Sequence, residues 1–448
     1  MIRQWQRQVF HKTPGACAPV AASVRVSHLS DAICSAIGAS RLAELGMSGA
    51  MRDFGLEVFF SEWEFSARHH MTASDVESLS SADLLALASD DDRAAFENLW
   101  LGYTETWGAP DLRAEIAATY DTMTAETVLC HAGAGEGIYA VMRVLLDADD
   151  HVIVPVPNYQ SAETVPLAIC EVSGIALRRA GDWPENASGR GADGADGTVE
   201  WRIDLDELEA AIRPNTKLLS LNMPHNPTGM VMSRTDLDAV VGLCRKHGLY
   251  LFSDEVYRGL ELDPADQLPQ IADVYERGIS LNVMSKAYGL PGLRVGWIAS
   301  PDTALLQRVE RYKHYLSICN SAPSERLALI ALRAREKILG RNVALLAENV
   351  VLLEQLFADF PGLVEWRRPQ GGCVGFPRFC GREGGEVFCK RLLEEDGVLL
   401  LPASLYASEL SETRDNHFRI GFGRDAVFKD GLGAMRAHME RNYTSLLT

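Results

Sequence analysis

The 448-residue chain reads as an α/β protein, a large domain on a mostly parallel sheet with a smaller, discontinuous α+β domain. Three observations predict this. From about residue 95, short apolar runs alternate with helix-period stretches. From about residue 310, long helical stretches take over. A short β-rich portion follows them towards the C-terminus.

The elements can be justified in order. Val152–Val154, Lys217–Leu221, Leu249–Phe252 and Leu281–Met284 are short apolar runs, as buried strands of a parallel sheet are. Between them, Gly137–Leu146 and Arg234–His247 place apolar residues at the spacing of one helix face. The Gly-, Ala- and Asp-rich run Asn186–Gly197 reads as a surface loop. Ser324–Phe360 is helical in pattern, and strands are expected around Gly371–Phe379 and Phe418–Phe422. The expected division is a large domain over 95–310 and a small one from 31–94 with 311–448. Residues 1–30 read as a poorly ordered extension, with Arg3, Arg7, Lys12 and Arg25 but no acidic residue and no apolar core of a signal peptide.

Acidic residues outnumber Lys and Arg by 61 to 43, so neither nucleic acid nor an anionic membrane finds the positive footprint it needs. No apolar run is long enough to span a bilayer. Nine cysteines without CxxC spacing point to reduced thiols in the cytoplasm rather than a zinc site, and no metal is expected.

The most informative stretch is Ser285–Trp297 (SKAYGLPGLRVGW). Lys286 directly follows an apolar strand in a Gly- and Pro-rich turn, where α/β proteins bind ligands. Burial disfavours an ammonium, so such an amine can be neutral and condense with an aldehyde. Arg294, eight residues on, offers a planar fork suited to phosphate. A lysine in a glycine-rich loop is more often structural than catalytic, and its surroundings decide.

Those surroundings are Ala132–Gly137 (AGAGEG), Asn222–Gly229 (NMPHNPTG), Ser253–Tyr257 (SDEVY) and Asn416–Gly421 (NHFRIG). In this order and at these separations, the five motifs resemble the class I/II aminotransferases of fold type I, which use pyridoxal 5′-phosphate (PLP). The resemblance runs from about residue 100 to the end. It implies PLP held as a Schiff base on Lys286, a quinonoid intermediate, and a catalytic set of Lys286, Asp254 and Tyr257. Asp254 would keep the pyridine nitrogen protonated so that the ring can take up an electron pair. Asn226 and Tyr257 would bond the phenolic oxygen, and Tyr159 would stack on the ring. Ala134 and Gly135 at a helix start, with Ser285 and Arg294, would hold the phosphate. The resemblance also implies a homodimer, in which Tyr103 reaches the neighbouring subunit's phosphate. Arg419, with Asn226, would clamp the substrate α-carboxylate.

Two departures stand out. Val283 occupies a position where many relatives have a serine that touches the phosphate. In place of the glycine- and proline-containing L-x-x-G-x-P stretch that lies over the substrate, the chain has Ser61–Asp75 (SEWEFSARHHMTASD). That segment and Gln370–Phe379 (QGGCVGFPRF) resemble capreomycidine synthase-like members of the family, which bind an arginine derivative and close a ring. Glu62 and Glu64 would suit a guanidinium; the plainer reading is a solvated helix face. For His69 and His70 the plainer reading is surface or packing. The expected activity is transamination between an L-amino acid and a 2-oxo acid, with PLP-dependent elimination or cyclisation as the alternative. An aminotransferase-like transcription regulator would need a basic N-terminal helix-turn-helix, whereas residues 75–97 are rich in acids.

Overall fold

In the computed structural model, which describes residues 51–179, 201–412 and 416–443, seven strands form the central sheet. They are β1 (Val128–His131), β2 (His151–Val156), β3 (Glu171–Ala176), β4 (Thr216–Asn222), β5 (Tyr250–Asp254), β6 (Gly278–Val283) and β7 (Gly296–Ala299). Their spatial order is β1-β7-β6-β5-β4-β2-β3, and β7 alone runs antiparallel to its neighbours. Every residue of β1, β2, β6 and β7 is buried, because helices cover both faces of such a sheet. The four strands expected from the sequence are present with ends shifted by up to three residues. The sequence pattern does not mark β1, β3 and β7. β1 and β7 have only four residues each, and β3 lies at the sheet edge, where exposure breaks up the apolar run.

Six helices position the rest: α1 (Gly55–Trp63), α2 (Ala134–Leu145), α3 (Arg234–His247), α4 (Ala322–Arg333), α5 (Arg335–Ala358) and α6 (Ala426–Tyr443). The expected bounds of α3 hold, and its ends explain why. Ser233 caps the first turn by accepting from the Asp236 N–H, and Gly248 takes the left-handed conformation after a final turn of Arg245, Lys246 and His247. The single stretch expected over Ser324–Phe360 is instead two helices, α4 and α5, meeting at Ala334. The break lets α4 pack on the helix Pro110–Ala117 while α5 packs on α6. Alanine suits a helix and its end alike, so the sequence carries no mark of it.

A second, antiparallel sheet has the order β8-β10-β9, from β8 (Val374–Gly375), β9 (Leu401–Pro402) and β10 (Phe418–Gly421). The two-residue strand His69–His70 pairs in parallel with Val398–Leu399 and so docks the preceding segment onto the C-terminal part. The loop Asn186–Gly197 and the extension 1–30 lie outside the described residues. Among the described residues no helix is long and apolar enough to cross a membrane.

Candidate active site

The C-terminal ends of parallel strands deliver chemistry to one edge of the sheet. Asn222 ends β4 and pairs in register with Asp254, the last residue of β5; Ser285 and Lys286 follow β6, and Arg294 precedes β7. α2 starts at the same edge, directly after β1. These residues line a solvent-open cavity of about 350 Å³, within the usual range of ligand sites.

Lys286 Nζ donates to Ser74 Oγ at 2.8 Å, and burial lowers the proton affinity of its amine. Burial pushes the Asp254 carboxyl up to about 6, against a bond from the Val256 N–H (3.2 Å) and the nearby Lys286 charge. It is therefore still an anion at neutral pH. The Asn226 Oδ1 accepts from Arg419 Nη1 (3.1 Å) and from the Tyr406 hydroxyl (3.3 Å), which leaves its amide NH₂ to face the cavity. The Tyr257 hydroxyl donates to the Ser74 carbonyl at 3.1 Å, and burial holds it firmly protonated. Tyr159 also lines the cavity, its hydroxyl 3.3 Å from Glu57 Oε1 and its ring 5.1 Å from that of Phe54.

The phosphate end is equally definite. Ala134 and Gly135 open α2 on the cavity with no side-chain cap on their N–H groups. Gly133 has φ of +96°, and a Cβ there would lie 2.6 Å from Arg294 Nη2, so only glycine lets the guanidinium rest on the helix start. Ser285 and Arg294 complete the group, and no described carboxylate pairs with Arg294. Val283 is buried in the core and adds no polar contact.

Arg419 lies just behind the cavity lining and is 1% exposed. It donates to the Thr72 carbonyl (2.7 Å), Thr72 Oγ1 (3.3 Å) and Asn226, and the rings of Phe60 and Tyr406 flank it at 5.9 and 5.8 Å. Among the described residues it has no carboxylate partner. A buried guanidinium bonded only to neutral oxygens suits an incoming carboxylate.

Two of the sequence-predicted site residues, Tyr103 and Glu62, lie outside this chain's cavity, which for Tyr103 agrees with a role at a neighbouring subunit's site. Tyr103 is 83% exposed in a separate surface groove beside Trp100, so within one chain it does not meet the cavity. Glu62 is exposed and outside the cavity, whereas Glu64 lines it. The cause is helical: α1 and its C-cap residue Glu64, which keeps helical backbone angles, bring Glu57, Phe60 and Glu64 to one face, and Glu62 sits roughly 200° round from Glu64. The reading missed Glu57, His70 and the functional contact of Ser74. Helical spacing would have found Glu57. The contact of Ser74 needs the fold, because it joins positions 212 apart. His70 lines the cavity, and burial together with Arg424 and Arg419 pushes its imidazole down to about 4, so it is neutral at physiological pH. Burial, Glu57 and Asp75 raise the Glu64 carboxyl above its usual range.

An uncapped helix start beside an unpaired arginine, a carboxylate, a low-affinity amine and an aromatic face make a donor set that fits PLP. The family model described as "Aminotransferase class I and II" matches residues 76–432. The chain belongs to this family. Its cofactor is PLP, which when bound supplies a conjugated ring that accepts the electron pair left by a departing proton. This aminotransferase is 27% identical over 372 residues to capreomycidine synthase of Streptomyces vinaceus, covering 82% of this chain and 88% of that one. It is 32% identical over 351 residues to the arginine–pyruvate transaminase of Pseudomonas aeruginosa, covering 73% and 80%. Among solved structures, a PLP-dependent aminotransferase from Streptococcus suis matches with a TM-score of 0.78 at 30% identity, over 88% of this chain and 99% of that one. The PLP-dependent cyclase OrfR matches with a TM-score of 0.74 at 25% identity, over 88% and 100%.

Proposed function

We propose that this aminotransferase acts on an L-amino acid with a cationic side chain, arginine or a close derivative, and passes its amino group to a 2-oxo acid. The observation that carries this is the position of Glu57 and Glu64 on the cavity wall that α1 provides. With the α-carboxylate drawn to Arg419, two carboxylates are left for the far end of the substrate. The names of two relatives, which concern capreomycidine and arginine, support the same side chain.

In this reading Lys286 holds the cofactor and then moves the Cα proton, and Asp254 pairs with the ring nitrogen. Asn226 directs its amide at the phenolic oxygen, Tyr257 turns its hydroxyl from the Ser74 carbonyl to the same oxygen when the cofactor is bound, and Tyr159 covers the ring face. Ala134, Gly135, Ser285 and Arg294 bind the phosphate, and Arg419 fixes Cα. Tyr103, with Trp100 and Leu101 exposed beside it, supports a homodimer in which it completes the partner's phosphate site. We place the enzyme in the cytoplasm, in amino acid biosynthesis. We divide it into a large domain over 95–310 and a small one from 31–94 with 311–448, and the pairing of His69–His70 with Val398–Leu399 supports that division.

A second reading, ring closure without net amino transfer, is favoured by the likeness to capreomycidine synthase and to OrfR. Product analysis separates the two. Incubation with arginine and pyruvate should yield a 2-oxo acid and alanine in equal amounts. A cyclised or dehydrated amino acid with no alanine would establish the second reading instead. Mixing Lys286→Ala and Tyr103→Phe chains should recover activity through hybrid dimers, whereas full activity in a monomer would rule out a shared site.

A further inference from the structure

The Lys286 amine ends on a hydroxyl that sits in an unusually constrained segment. Nζ donates to Ser74 Oγ at 2.8 Å, its one hydrogen bond among the described residues. The Ser74 carbonyl in turn accepts from the buried Tyr257 hydroxyl. On the C-terminal side, both Asp75 carboxylate oxygens accept from Arg424 Nη2, at 2.8 and 2.9 Å, and the Glu77 N–H donates to the Gly423 carbonyl at 2.7 Å. On the N-terminal side, the Gly421 N–H donates to the Met71 carbonyl at 2.8 Å. The backbones are in direct contact: a Cβ on Gly421 would lie 2.1 Å from the Ala73 carbonyl, and one on Gly423 2.3 Å from that of Asp75. Ser74 is thus bonded from both flanks and at its own carbonyl, and its side chain is fixed towards the lysine.

We propose that Ser74 is a positioning residue for the Lys286 amine, its hydroxyl holding Nζ over the cavity whenever the lysine is not bonded to the cofactor. The proposal rests on Lys286 being the cofactor-bearing lysine. A base that removes a Cα proton needs its lone pair free and aimed. By accepting one N–H, Ser74 Oγ fixes the rotation of the amine and leaves that lone pair to the substrate. So aimed, Nζ would take up the Cα proton, and PLP when bound would supply the conjugated system that accepts the electron pair. The amine becomes an ammonium, and the same hydroxyl accepts from it more strongly, because a charged donor makes the better hydrogen bond. Ser74 therefore favours the protonated amine against the burial that disfavours it.

The test uses the full-length protein freed of cofactor, with Ser74→Ala and Ser74→Thr. The rate of covalent PLP uptake is followed by absorbance as a function of pH. Without the acceptor the ammonium is less stable, so the midpoint of uptake in Ser74→Ala should move to lower pH by about one unit, the size expected for a lost hydrogen bond to a charged group. Deuterium wash-in at Cα should slow by roughly 10–100-fold with little change in KM, because orientation of the base and not substrate binding is lost. Ser74→Thr keeps the hydroxyl and should restore both. An unchanged midpoint and wash-in rate in Ser74→Ala would overturn the proposal. Borohydride trapping followed by peptide mapping separates this from failure of the underlying reading: a reduced adduct on any lysine other than Lys286 would overturn both.

Discussion

The floor and the roof of the cavity are built on different principles. The floor is the carboxyl edge of a buried parallel sheet, where Asp254, Lys286 and the start of α2 are fixed by strands with almost no exposed residue. The roof is α1 and the short segment up to Asp75, held to the C-terminal part by a two-residue strand pair and an ion pair to Arg424. The floor carries the groups that we propose hold PLP and move the proton. The roof carries Glu57, Glu64, His70 and Ser74. Substitutions in the floor should therefore stop the chemistry for every substrate, whereas in the roof those of Glu57 and Glu64 should change which substrate is taken and that of Ser74 should slow the proton step and shift its pH dependence.

The largest effect should come from the floor. Lys286→Ala removes both the covalent anchor and the base. We expect a folded protein whose turnover falls by at least about 10³-fold, with borohydride no longer fixing cofactor to the chain. Retention of a reducible covalent adduct in that variant would contradict the assignment. Asp254→Ala should come next. PLP should still bind through the phosphate cradle, while Cα wash-in slows by about 10²-fold or more because the ring nitrogen has lost its anion. Wash-in at the wild-type rate would remove Asp254 from that role.

Much of the floor was legible in the sequence, and most of the roof was not. Strand ends carry compact motifs, so the family resemblance could point to Asn226, Asp254, Lys286 and Arg294, and the structure gathers all four round one cavity. The acids of α1 are different, because their direction depends on helix phase. Glu62 and Glu64 are close in sequence yet point to opposite sides, and Glu57, seven residues before Glu64, shares its face. Ser74 was visible as a residue, but its bond to Lys286 joins positions 212 apart and needs the fold. The break at Ala334 left no trace either, since only packing on two different partners calls for it.

A smaller effect should separate the faces of α1. Glu57→Gln and Glu64→Gln should each raise the KM for arginine by about 10-fold and leave a neutral substrate within two-fold, as expected for loss of a charged contact that water partly screens. Glu62→Gln should match the wild type with both. Equal effects of the three substitutions would mean that α1 does not face the substrate as a helix with one acidic side.

The smallest effect concerns stability rather than turnover and isolates His70. Its Nδ1 accepts the Thr72 N–H at 3.4 Å, and its ring lies 5.7 Å from that of Phe60. Burial first, then Arg424 and Arg419, hold the imidazole down to about 4, with Asp75 pulling weakly the other way. In the unfolded chain the same group titrates near 6.5. Between these values the unfolded chain binds a proton that the folded one refuses, so the contribution of neutral His70 is present above about pH 6.5 and is lost as pH falls towards 4. His70→Gln removes this titration and keeps an acceptor for Thr72. Urea unfolding of both proteins at pH 7 and pH 4.5 should show the wild type losing up to about 3 kcal/mol more than the variant over that interval. The carboxyls raised by burial, Asp254 and Glu255, titrate in both proteins and cancel in the difference. A difference that does not change with pH would mean that His70 is charged in the folded state, and the roof would then present the substrate with a cation beside its two carboxylates.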